Sequence, residues 1–260
     1  MIQFKPIKTN GLLIIVKYRH VYKKGKYMKN PRKIVLTDTQ IKEHKLSTQP
    51  PPVDSLFWQM WKASEEIAQE ALGTEFITGI KNGTLNPVTY GGFNVSDAYY
   101  CFNGADDYKT AHDKATDSVL KFFLEQKYKS YEAYNKDFPT TWRIKDASGV
   151  VPTDVCKDYS EFESAIAGGI NSIYTVVAML PCEFLWYWLA SQISPAKQGN
   201  LYAPWISGND DPHGAYVMGN FLNDYQIVNP NSIDNDLAIQ IYKTAMTYEF
   251  RNFQSATEVS

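Results

Sequence analysis

Cysteine and histidine are scarce in this chain. Three cysteines, Cys101, Cys156 and Cys182, and four histidines are spread over 260 residues. An odd number of cysteines with no CxxC pair excludes a disulfide framework and a zinc knuckle, and predicts a reducing compartment. Long apolar runs are also missing. Those present, such as Leu12 to Val16 and Thr175 to Leu180, fall far short of the roughly 20 residues a membrane helix needs, so no span and no membrane partner are expected. The run near the N-terminus is too short for a secretory core and no small-residue cleavage site follows it, so a cytoplasmic location is expected. Strand-like alternation is lacking after residue 54, and no period of 20 to 50 residues repeats. What remains is 44% hydrophobic and 14% aromatic, enough to bury a full core.

Charge is unevenly laid out. Of the 26 Lys and Arg, twelve precede residue 54, against only Asp38 and Glu43 among the 28 acids; fourteen bases and 26 acids follow, a balance of −12. A basic arm of this kind can touch an acidic surface, but no nucleic-acid motif or interleaved aromatic platform accompanies it, so no nucleic-acid partner is expected. A solvated extension is the plain alternative, and Met28 is an internal candidate for initiation. Within the arm, Gly11 to Tyr22 and Tyr27 to Leu36 flank Lys23-Lys24-Gly25-Lys26, which reads as a small hairpin. Gln49-Pro50-Pro51-Pro52 marks an extended link. The expected division is therefore a basic extension with a Pro-rich link over 1–53 and a helical domain over 54–260.

Beyond the link, helical spacing prevails. Residues 54 to 72 predict an amphipathic helix capped by Asp54 and stopped by Gly73. Asn86-Pro87 caps and opens a second, with the inner stripe Tyr90, Phe93, Asp97, Tyr100, Cys101 and Gly104. A third is expected from Asp106 to Tyr131, carrying no obvious chemistry. Asp158 to Glu161 fits a capping box for a short helix ending at Gly168-Gly169. Asn171 can cap a long helix, apolar nearly all round, that belongs in the middle of a bundle. Helices near 201–207 and 214–225 follow, and a last one from Ser232 to Ala256 has the inner stripe Ala238, Tyr242, Ala245, Glu249 and Asn252 or Phe253. The fold class is all-α, a helical bundle.

Inside the apolar helix Cys182 follows Pro181, which lacks an amide hydrogen, bends a helix and leaves the Val177 carbonyl without its donor. A bend beside a thiol can be a built site or a small hydrophobe in a core. Two acids, Asp97 and Glu249, also fall on inward stripes of other helices. An ionised carboxylate in an apolar interior costs several kcal/mol, so each must meet a donor or keep its proton with a raised pKa. A thiol reacts as thiolate, and a nearby base or donor network could move its pKa toward working pH. Three separately satisfied polar groups remain the alternative to a shared site.

Gly83-Thr84-Leu85, Asp97-Ala98-Tyr99-Tyr100, Leu180-Pro181-Cys182 with its aromatic run, Tyr202-Ala203-Pro204-Trp205-Ile206 and Tyr248-Glu249 together resemble the TenA/thiaminase II family in order and spacing, over about residues 54 to 256. The resemblance implies a heme-oxygenase-like helical bundle, a homotetramer or other homo-oligomer, and cofactor-free, metal-free hydrolysis of thiamin or aminopyrimidine to hydroxymethylpyrimidine. It implies Cys182 as nucleophile on the pyrimidine ring, Glu249 as acid or base at the ring nitrogen and amino edge, and Asp97 as the carboxylate that binds and shuttles protons. Tyr100 and Tyr159 match positions that sandwich the pyrimidine. The chain departs from the family where Trp186 and Asn209 replace tyrosines. Trp186 can stack without a phenol, and Asn209 can hydrogen-bond a ring nitrogen in another geometry, so a different aminopyrimidine could be preferred.

Three rivals stand beside this reading. A metal-dependent oxidase or heme enzyme would need histidine ligands, and after residue 54 only His112 and His213 are available, neither in a ligand cluster. His112 reads as a solvated helix residue and His213 as a turn residue. A pyrimidine-binding or regulatory protein without turnover would keep the pocket and tolerate Trp186 and Asn209. An interaction protein acting through its arm would lose function on deletion of residues 1 to 53 but not on Cys182→Ala.

Overall fold

The structure is a computed structural model that describes residues 2–9, 12–23, 26–30 and 47–258. The N-terminal strands β1 (Ile2–Thr9), β2 (Leu12–Lys23) and β3 (Lys26–Asn30) form an antiparallel sheet in the order β1-β2-β3. Tyr22 pairs with Tyr27 and Val21 with Met28, which realises the expected hairpin; its continuation past Asn30 lies outside the described residues. The additional strand β1 carries Pro6, tolerated because β1 is an edge of the sheet.

From residue 56 onward the chain is an all-α bundle. The helices are α1 (Leu56–Lys62), α2 (Glu65–Leu72), α3 (Glu75–Asn82), α4 (Pro87–Lys114), α5 (Ser118–Asn135), α6 (Phe138–Thr141), α7 (Asp154–Gly169), α8 (Ile173–Ile193), α9 (Ala203–Asn209), α10 (His213–Val228) and α11 (Asn235–Glu258). At its centre lies α8, against which α2, α4, α7, α9, α10 and α11 all pack. Its apolar circumference explains the position, since a rod without a polar face must be covered on every side. By length and average composition α8 could cross a membrane, yet most of its residues are buried by protein. It runs continuously through Pro181.

Several boundaries differ from expectation, each for a local reason. The helix expected over 54–72 is two helices. Ser55, not Asp54, precedes α1, and at Ser64 the backbone leaves the helical region with φ −127° and ψ 7°. The second helix continues to Lys114, so the helix expected from Asp106 to Tyr131 is divided at residues 115–117. There Asp117 accepts from the amides of Val119 and Leu120 at 3.0 and 2.9 Å, a cap strong enough to open a new helix. Similarly α7 starts at Asp154 under Thr153, whose hydroxyl accepts from the Cys156 amide at 3.2 Å, so Asp158 to Glu161 lies inside the helix. Asp234 accepts from the amides of Asp236 and Leu237, which delays α11 beyond Ser232. By contrast, Asn86 accepts from Val88 as expected, and Asn171 accepts from Ile173 at the start of α8.

The Pro-rich link is tied to the bundle. Trp58 donates its indole N–H to the Pro51 carbonyl at 2.9 Å, and Asn220 donates its amide to Gln49 at 2.7 Å. Gly83, at φ 72°, ends α3 in the left-handed conformation that favours glycine.

Candidate active site

Beside the middle of α8 the bundle encloses a cavity of about 360 Å³. All seven residues singled out in the sequence line it. Asp97 and Tyr100 come from one face of α4, Tyr159 from α7, Cys182 and Trp186 from successive turns of α8, Asn209 from the end of α9, and Glu249 from α11. Three and four residues are the spacings that place side chains on one helix face, which is why each element contributes without distortion.

Glu249 is 2% exposed and both its oxygens are engaged. Tyr159 donates its hydroxyl to Oε1 at 3.1 Å and Trp186 donates its indole N–H to Oε2 at 3.0 Å. Burial raises the Glu249 pKa to about 8 despite these two donors. Trp186 therefore replaces a phenol with another donor. Asp97 is half-buried, and burial raises it to about 7, offset by the Cys101 thiol, which donates to Oδ2 at 3.8 Å. At neutral pH the cavity thus holds one carboxyl that keeps its proton and one poised to exchange it.

Cys182 behaves otherwise than expected. Its sulfur lies 3.2 Å from the Tyr131 hydroxyl, and Tyr100 makes a second hydrogen bond to it. Those contacts are outweighed: burial first, then the carboxyls of Glu249 and Glu183, push the thiol well above its ordinary value. The network holds a neutral thiol in place rather than creating a thiolate. Stacked rings wall the cavity, with Tyr100 and Tyr159 at 4.9 Å and 29°, and Tyr248 backs Tyr159 at 5.5 Å and 10°.

The helix α5, expected to carry no chemistry, supplies Lys127, Ser130, Tyr131 and Tyr134 to the lining. Their spacing of three and four is the sequence signal that marks this polar stripe. Lys127 pairs with Glu183 at the cavity wall, both largely screened from solvent, and sits 5.9 Å from the ring centroids of Tyr108 and Tyr131. The Glu183 carboxylate fills the space a side chain on Gly214 would need. His112 and His213 pair with Asp113 and Asp211 and do not line the cavity; His213 opens α10. Among the described residues no group of three His, Cys, Asp or Glu is arranged to hold a metal ion.

No protein-family profile matches the chain, and no curated protein matches it. Solved structures do. A TenA homologue from P. horikoshii OT3 superposes with a TM-score of 0.67 at 18% identity, covering 78% of this chain and 99% of that one. A TenA family transcription regulator from a Silicibacter species gives 0.67 at 16%, covering 79% and 97%. A putative TenA-like thiaminase from Sulfolobus solfataricus P2 gives 0.60 at 16%, covering 77% and 95%. At such identities the likeness establishes the fold, and the chain has the all-α fold of these TenA proteins.

Proposed function

We propose that the chain is a TenA/thiaminase II-type hydrolase that cleaves the C–N bond of thiamin or aminopyrimidine to give hydroxymethylpyrimidine, without a cofactor, in thiamin degradation or salvage. One observation carries the reading: a thiol, Cys182, and two carboxyls with raised and different pKa values, Asp97 and Glu249, line a single aromatic-walled cavity.

In this reading a pyrimidine lies flat among Tyr100, Tyr159 and Trp186. The Cys182 sulfur bonds to an electron-poor ring carbon as its proton passes to Asp97 in its ionised form, while protonated Glu249 gives its proton to a ring nitrogen. The electron-rich adduct expels the amine from the exocyclic methylene, and protonated Asp97 supplies the proton that the leaving nitrogen takes. Water then adds to the methylene and returns a proton to Asp97. Finally the thiol leaves with a proton from Asp97, and the ring regains aromaticity as its nitrogen returns a proton to Glu249. The neutral state of Cys182 protects it, since deprotonation is coupled to attack. Assembly as a homo-oligomer and a cytoplasmic location belong to the same reading.

A second reading, pyrimidine binding without turnover, is favoured by Asn209. Its amide nitrogen is committed to the Trp205 carbonyl of its own helix at 2.8 Å, so it does not take over a tyrosine hydroxyl's role directly. Incubating wild type and Cys182→Ala with aminopyrimidine and with thiamin separates the two. Hydroxymethylpyrimidine from wild type alone supports the hydrolase; pyrimidine binding with no product from wild type overturns it.

A further inference from the structure

Tyr131 touches the reacting sulfur, and the reaction above gives it no part. It stands on α5, where Lys127, Tyr131 and Tyr134 fall on one stripe, and its hydroxyl lies 3.2 Å from Cys182 Sγ. Room for the ring comes from α4. A Cβ on Gly104 would lie 3.0 Å from Tyr131 Cε1 and 3.0 Å from the Met179 methyl, so the absent side chain lets the phenol in. Tyr108 then meets the ring edge-on, at 5.2 Å and 63°.

We propose that Tyr131 is a catalytic residue, the donor that stabilises negative charge on the Cys182 sulfur as its bond to the ring carbon forms and breaks. This rests on the hydrolase reading. As the sulfur attacks, the thiol proton passes to ionised Asp97 and Glu249 protonates the ring nitrogen, so Tyr131 neither gains nor loses a proton. Its O–H donates to the sulfur while that atom carries charge. Once the thioether has formed, the sulfur is a poor acceptor and the bond is weak; it strengthens again when the sulfur leaves. An interaction strongest in the two transition states lowers both barriers without tightening substrate binding.

The surroundings of the sulfur call for such a donor. Around it stand the phenols Tyr100, Tyr108, Tyr134 and Tyr159, the thiol Cys101 and the acids Glu183 and Glu249. No cation is among them. Lys127, one turn from Tyr131, is paired with Glu183, which cancels its charge. Tyr100 and Tyr159 give their hydroxyl protons to Glu163 and Glu249, at 3.0 and 3.1 Å, so both are committed elsewhere. Burial first, then the sulfur, hold the Tyr131 phenol well above its ordinary value, so it keeps its proton and stays a donor. A ring needed for packing alone would serve as phenylalanine, with no hydroxyl to desolvate.

The test is Tyr131→Phe, which keeps the ring against Tyr108 and removes one hydroxyl. Steady-state hydrolysis of aminopyrimidine and iodoacetamide alkylation of Cys182 are both measured against wild type. Loss of one donor to a charged atom predicts that kcat falls at least about tenfold with KM within about threefold. It also predicts alkylation about tenfold slower than in wild type, because the thiolate loses its donor. A merely loosened cavity would do the opposite and speed alkylation. A kcat loss below about tenfold, a loss that falls on KM, or alkylation as fast as in wild type or faster overturns the role of Tyr131 and leaves the hydrolase intact. Absence of product from wild type overturns the hydrolase, and the catalytic role with it.

Discussion

Trp186 and Glu249 form an indole-to-carboxylate hydrogen bond of 3.0 Å at the wall of the cavity. That bond holds the Glu249 pKa lower than burial alone would set it. Replacing Trp186 with phenylalanine keeps an aromatic face and removes the donor, so the Glu249 pKa rises above about 8. Where protonated Glu249 is the acid, the alkaline limb of the kcat profile moves to higher pH by roughly one unit, the differential worth of one charge-assisted bond. A pH–rate profile of Trp186→Phe in which that limb stays put, or moves down, contradicts the assignment.

The same buried acid predicts how stability depends on pH. Folded Glu249 keeps its proton up to about pH 8, whereas the unfolded chain releases it near 4.5. The folded state therefore binds more protons between those values. The associated stability is fully present below 4.5 and lost as pH rises through 8. Urea unfolding should show the wild type losing on the order of a few kcal/mol across this window relative to Glu249→Gln, whose curve is flatter. Parallel curves would show that Glu249 titrates alike in both states.

Reactivity of Cys182 tests the neutral thiol. Because burial and the carboxyls of Glu249 and Glu183 raise its pKa, alkylation by iodoacetamide at neutral pH should be at least about tenfold slower than that of a free cysteine. Mass spectrometry of the modified peptide measures it. Modification faster than free cysteine would mean a thiolate at this position.

Gly214→Ala probes the polar wall. The new methyl would displace the Glu183 carboxylate, a flexible group, so the fold should lose no more than about 1 kcal/mol while the Lys127 pairing is disturbed. The expected result is an altered KM for aminopyrimidine with little change in thermal midpoint. A large drop in midpoint with unchanged KM would place the role of this glycine in packing alone.

Much of this architecture can be read from residue order. The stripes of α4 and α11 brought Asp97 and Glu249 inward, and the missing polar face of α8 set it at the centre, because burial leaves a periodic mark on each helix. Helix ends were less legible. Ser64, Asp117, Thr153 and Asp234 decide them through local backbone geometry or one side-chain bond, and competing caps such as Asp54 and Asp158 look equally good in a string of letters. The contribution of α5 was hidden for another reason. Lys127, Tyr131 and Tyr134 are ordinary surface types, and only the neighbouring helices turn their stripe toward a cavity. Likewise the direction of the Cys182 shift depends in part on Glu249, which no local spacing connects to the thiol.

The covering of α8 on all sides has a kinetic meaning. A sulfur mounted on a rod wedged among six other helices has almost no latitude to swing toward a badly placed guest. In the proposed hydrolase a guest must bring its reactive carbon to the sulfur, so selectivity among flat heterocycles falls to fit and orientation on arrival, and a molecule a single ring atom out of position is turned away unreacted.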